Sequence, residues 1–230
     1  AFFVALTRGT HAELGPVHRL LDGGARRTYP AWSPDGARIA YTDYSQRLPA
    51  LYVVGADGSN PRMVVGPTTL GGPPVWSPDS KKVSAIVSTS QGQAIILSDT
   101  EERSTLPLVL GAPLYLSWSP DSERLLIHAG ESLLLFEAPF TADGGDTLDG
   151  SSPRYLSPQF APNDNRAAYV VDREDGASLN IQEASSRERI EITEVGTLLF
   201  FRWSPSGEQL AMIKGDPLAD VASVWLAAAD

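Results

Sequence analysis

Apolar residues along this chain fall in short runs bounded by Pro, Gly, Asp and Ser. One set of runs is Ile39 to Tyr41, Val83 to Val87, Leu125 to Ile127, Ala167 to Val171 and Leu210 to Ile213. A second set is Leu51 to Val54, Ala94 to Leu97, Leu133 to Phe136, Leu179 to Ile181 and Val224 to Leu226. Runs this short, rich in Val, Ile and Leu and without a helical period, predict β-strands. Several do not alternate apolar with polar. That suits strands buried on both faces, as in a sheet packed between two others.

A motif precedes each run of the first set. Trp32-Ser33-Pro34-Asp35-Gly36 recurs as Trp76-Ser77-Pro78-Asp79-Ser80 and Trp118-Ser119-Pro120-Asp121-Ser122. A degenerate copy is Phe160-Ala161-Pro162-Asn163-Asp164, and the fifth is Trp203-Ser204-Pro205-Ser206-Gly207. The aromatic residues step by 44, 42, 42 and 43 positions. A fixed period in this range marks a β-propeller blade of four strands. In each repeat a first strand ends at the aromatic, a tight corner follows, and the two runs above supply the second and third strands. Arg62 to Val65 and Arg189 to Ile192 read as fourth strands. The predicted fold is all-β, a propeller of four-stranded antiparallel blades.

Asp35 could be a reactive carboxylate or the corner of a turn. Pro presets φ at the second turn position, Asp can bond nearby backbone, and Gly accepts positive φ. Asp35, Asp79 and Asp121 recur in the same corner, and Ser206 can serve the same turn in the fifth repeat, which points to the turn. The aromatic residue is structural as well. Its apolar body fills the wedge between adjacent sheets while the indole N–H finds an acceptor.

At these residues the chain resembles a known family. "WSPDGARIAY", followed by "LYVVGADGSNPRMV" at Leu51 to Val64, is similar to the TolB-type propeller repeat, also called PD40. The resemblance spans nearly the whole chain. It implies a propeller, commonly six-bladed and often extracytoplasmic, meaning periplasmic or cell-surface. Such repeats occur in non-catalytic interaction proteins, in sensor domains, and in the gating propellers of prolyl-oligopeptidase-like peptidases. Five steps of the period need about 214 residues and six about 256. The expectation is one propeller domain over 1–230, six-bladed rather than five-bladed, cut mid-blade at both ends. Phe2 to Leu6 and Val17 to Leu21 then read as third and fourth strands.

The formal net charge is −10. Nucleic acid is not an expected partner, because phosphate binding needs clustered Lys and Arg. Without Cys there is neither a disulfide nor a thiolate metal site. No apolar run approaches the ~18 residues of a membrane span. No signal peptide is apparent, and a start at Ala1 suggests a processed or trimmed end.

Chemistry is sparse. There is no Gly-x-Ser-x-Gly, no phosphate loop, and no paired His at metal-ligand spacing. His11, His18 and His128 fall in different places, and His128 reads as a strand residue. Asp143, Asp146 and Asp149 stand at every third position of "TADGGDTLDGSS", which reads as a solvated loop. The expectation is therefore no enzyme, no cofactor and no metal.

The remaining candidate is the opening onto which first strands face. The segments before each aromatic contain Arg26, Arg27 and Tyr29, then Gly71 to Val75, then Tyr115, then Arg154, Tyr155 and Gln159, then Phe200, Phe201 and Arg202. Arg and Tyr dominate interface hot spots. Arg27, Tyr29, Tyr115, Arg154, Tyr155, Gln159 and Arg202 are the predicted binding residues. Their charge suits an acidic protein or peptide partner, or a carboxylate ligand.

Overall fold

The computed structural model describes residues 19–23, 25–112, 114–149, 154–173, 176–184, 188–195, 197–216 and 221–229. The expected strand at 2–6, residues 17 and 18 of the one at 17–21, and the histidines at 11 and 18 lie outside them, and the described residues 19–21 are not in a strand. The chain forms two compact units, residues 1–89 with 96–105 and residues 90–95 with 106–230.

In the first unit, β1 (Arg27–Trp32), β2 (Arg38–Asp43), β3 (Ala50–Gly55) and β4 (Arg62–Val65) make one antiparallel sheet in that order. The second sheet begins with a broken first strand. β5 (Thr69–Leu70) and β6 (Val75–Trp76) both pair with β7 (Lys82–Thr89). Gly71 to Pro74, between them, interrupt the ladder, and Pro has no N–H to offer it. β8 (Gly92–Asp99) and β9 (Thr105–Gly111) continue the order of this sheet.

The second unit repeats the plan. β10 (Leu114–Trp118), β11 (Arg124–Ala129), β12 (Ser132–Glu137) and β13 (Gly145–Asp149) form one sheet. β14 (Arg154–Phe160), β15 (Arg166–Arg173), β16 (Gly176–Glu183) and β17 (Arg189–Val195) form the next. β18 (Thr197–Trp203), β19 (Gln209–Asp216) and β20 (Val221–Ala228) form a sheet of three among the described residues.

Every predicted first, second and third strand that falls among the described residues is present. The acidic stretch is a correction. Gly145–Asp149 is a fourth strand, with Asp146 opposite Leu135 and Thr147 opposite Leu134. The apolar edge of β12 offers a ladder of backbone bonds, and pairing overrides the low strand propensity of Asp and Gly. Gly145 is needed there because a Cβ would lie 2.5 Å from the Phe136 ring.

β15 shows why the second-strand runs do not alternate. Ala167, Tyr169 and Val171 pack with Leu126, Leu133 and Leu135 of the preceding sheet. Ala168 and Val170 point the other way, against Phe201, Leu210 and Met212 of the following sheet. Successive side chains face opposite sides of a strand, so burial on both sides calls for apolar residues at every position.

The corners are built as expected. The carboxylates of Asp35, Asp79 and Asp121 accept from the hydroxyls of Ser33, Ser77 and Ser119 at 2.5, 2.6 and 2.5 Å. The same oxygens accept from the amides of Ala37, Lys81 and Glu123. Gly36 and Gly207 close the turn at φ +71, and Ser80 and Ser122 take nearly the same backbone at +66 and +65.

Candidate functional site

First strands carry the bonds that join neighbouring sheets within each unit. The indole of Trp76 donates to the Ala31 carbonyl at 3.0 Å. The indole of Trp203 donates to the Gln159 carbonyl at 3.2 Å, and the Gln159 amide returns a bond to Phe201 O at 3.2 Å. Ser117 Oγ accepts from the Phe160 amide at 2.9 Å. These partners are 42 to 45 residues apart in sequence, so the sequence period is the register of the inter-sheet bonds. β10, β14 and β18 thereby lie side by side as edge strands.

Trp76, Trp118 and Phe160 are buried as expected. Trp32 is not, at 48% exposed.

The predicted binding residues divide into groups. Tyr115 is 40% exposed on β10 and stacks parallel on His128, with centroids 5.7 Å apart. Phe200 is 43% exposed on β18, and the exposed Arg202 holds its guanidinium 4.7 Å from that ring. Gln159 is committed to Phe201 O. Tyr115, Gln159 and Arg202 thus stand on the three adjacent edge strands of the second unit. Arg154 and Tyr155 begin β14, but their side chains lie outside the described residues.

In the first unit, Tyr29 is exposed at φ +54 on an irregularity of β1. Arg27 makes a 2.9 Å ion pair with Asp43, directly opposite on β2, and a bond to Asp22 O. Burial pushes the Asp43 carboxyl up, but bonds from Ser45 and Arg27 outweigh it and hold the group below its usual range. The charge of Arg27 is therefore already matched.

His128 is buried on β11, its Nε2 2.6 Å from Gly130 O. Desolvation pushes its pKa down, which keeps the ring neutral near pH 7. Among the described residues no group of three His, Asp or Glu converges to hold a metal ion. No described helix is long and apolar enough to cross a membrane.

A second set of residues went unpredicted. Arg38 reaches out of its own sheet to Ser80 O at 2.7 Å and Thr100 Oγ1 at 2.8 Å, with its guanidinium 5.4 Å over the Trp76 ring. Arg166 does the same toward Gly207 O, Ala229 O and Trp203. Both stand six positions after the motif aromatic. Lys82 and Arg124 hold that position in other repeats but pair within their own sheets, with Asp99 and Glu137. A basic residue at this fixed offset was the available signal.

Four-stranded antiparallel sheets repeated at a fixed period, bonded edge strand to edge strand, define a β-propeller. The fold is that of TolB from Acinetobacter baumannii, with a TM-score of 0.61 and 16% identity over 96% of this chain and 57% of that one. It is also that of the β-propeller domain of the Trilobed protease from Pyrococcus furiosus, at a TM-score of 0.66 and 15% identity, covering 90% of this chain and 70% of that one. In sequence, 115 residues are 30% identical to the uncharacterized peptidase YuxL of Bacillus subtilis (strain 168). That match takes in 49% of this chain but only 17% of the relative's length. No family model matches the chain.

Proposed function

We propose that the chain is one propeller domain that binds an acidic protein or peptide segment, without catalysis, through the edge strands lining its opening. The observation that carries this reading is the exposed set Tyr115 on β10 and Phe200 and Arg202 on β18, the edge strands on either side of β14 in the second unit. Aromatic surface beside an unmatched guanidinium suits a carboxylate-bearing peptide. Arg154 and Tyr155 extend the set by position, and Tyr29 adds a further aromatic on β1. Arg27 orders β1 against β2. An extracytoplasmic location belongs to the same reading and rests on the family resemblance.

A second reading makes the chain the accessory propeller of a larger peptidase. The short match to YuxL and the likeness to a protease propeller favour it. It assigns substrate filtering to the same edge strands and leaves the nucleophile to another domain.

Fluorescence anisotropy with a labelled Glu-rich peptide and its Gln-substituted counterpart tests the site. Preference for the Glu peptide, lost in a Tyr115→Ala/Arg202→Ala variant, supports it. Equal binding by the variant removes it. A hydrolase domain in the same reading frame selects the second reading.

A further inference from the structure

Away from the first strands, the first unit holds a cavity of about 170 Å³ lined by Arg62, Met63 and Val64 of β4, Ser98 of β8, and Arg103 of the following turn. We propose that this cavity is a binding site for one small oxyanion, a phosphate or carboxylate group, held between the guanidiniums of Arg62 and Arg103. The inference is independent of the peptide-binding reading, because none of these residues is on a first strand.

Three features carry it. Arg62 is fixed in place, its Nη2 donating to the Thr100 carbonyl. Thr100 also receives Arg38 through its hydroxyl, so a third guanidinium stands behind the first. Ser98 is 1% exposed and donates to Val64 O, which holds the β8 and β4 walls of the cavity together.

The nearest carboxylate is committed elsewhere. Asp99 pairs with Lys82 at 3.3 Å and accepts from the amides of Glu101 and Glu102 at 2.8 Å each. Those two amides bring the turn around and set Arg103 at φ +58 on the cavity wall. Burial, then Arg103 and Arg38, push the Arg62 pKa down, and Asp99 only partly offsets them. Like charges gathered in a chain of net charge −10 lower their mutual repulsion by taking up an anion. Arg presents paired donors in a fork that matches a phosphate or carboxylate.

The test is a thermal unfolding titration with inorganic phosphate, and separately with succinate, at ionic strength held constant with sodium chloride. Isothermal calorimetry supplies the stoichiometry. The expected result is saturable stabilisation at one site by at least one anion, with affinity about tenfold weaker in Arg103→Gln. Arg103 is exposed, so this variant folds. Arg202→Ala, at the opening, retains the effect and separates this site from the peptide site. No saturation with either anion, or an undiminished response in Arg103→Gln, overturns the proposal. Saturation by phosphate alone or by succinate alone identifies the class of anion.

Discussion

The guanidinium of Arg166 lies 5.6 Å over the ring of Trp203 while it donates to the carbonyls of Gly207 and Ala229. One side chain therefore ties β15 to the corner and third-strand end of the next sheet. Arg38 repeats the arrangement with Trp76 in the first unit.

Replacing Arg166 by Ala removes two charge-assisted bonds to carbonyls of the next sheet, the ion pair with Asp164 and a cation–π contact, at a cost of about 2–4 kcal/mol. Arg166→Lys recovers little of it, since an ammonium cannot span both carbonyls in one plane. Urea unfolding midpoints check both variants. A lysine variant as stable as the native chain contradicts the clamp.

Trp118 is buried, edge-on to Phe140 at 5.5 Å. Trp118→Ala is expected to cost about 3–5 kcal/mol. Asp121 only closes a corner, so Asp121→Ala is expected to cost about 1 kcal/mol and to leave peptide binding unchanged. Loss of binding without loss of stability in Asp121→Ala revives a reactive role for the corner carboxylates.

Two glycines separate backbone from packing. Nothing lies within 4 Å of a Cβ at Gly36, whose φ is +71, so Gly36→Ala measures the left-handed backbone alone, at about 1 kcal/mol. A Cβ at Gly145 meets the buried Phe136 ring at 2.5 Å, so Gly145→Ala is expected to cost more, about 2–3 kcal/mol. Differential scanning calorimetry of the pair gives the order.

His128 has a folded-state pKa below its unfolded value, so the neutral ring favours folding. Its contribution is fully present above about pH 6.5 and is lost as pH falls toward the folded-state pKa. The native chain is expected to lose stability between pH 7.5 and 5.5, and His128→Gln to lose less. Asp35 and Asp121 are held low by their corner bonds. Their contribution persists above about pH 3.9 and disappears only as pH falls through their folded-state values. Urea midpoints across both windows separate the two effects, and an equal loss in native and variant between pH 7.5 and 5.5 assigns that loss to other groups.

The sequence alone determined what is local or periodic. Trp-Ser-Pro-Asp-Gly encodes its own corner, because Ser, Asp and Gly satisfy that backbone among themselves. The period near 43 marks the strands, because the indoles of Trp76 and Trp203 reach a carbonyl one repeat earlier. Tertiary structure decided the rest. It made a strand of Gly145–Asp149, because the edge of β12 offered unpaired backbone that outweighed composition. It sent Arg38 and Arg166 across to neighbouring sheets, although Glu183 stands opposite Arg166 on β16, while Arg124 pairs with Glu137 opposite it on β12. It matched Arg27 with Asp43, sixteen residues away, through the β1–β2 register. Which charges are spent and which stay free depends on cross-strand partners, and a single sequence does not display that register.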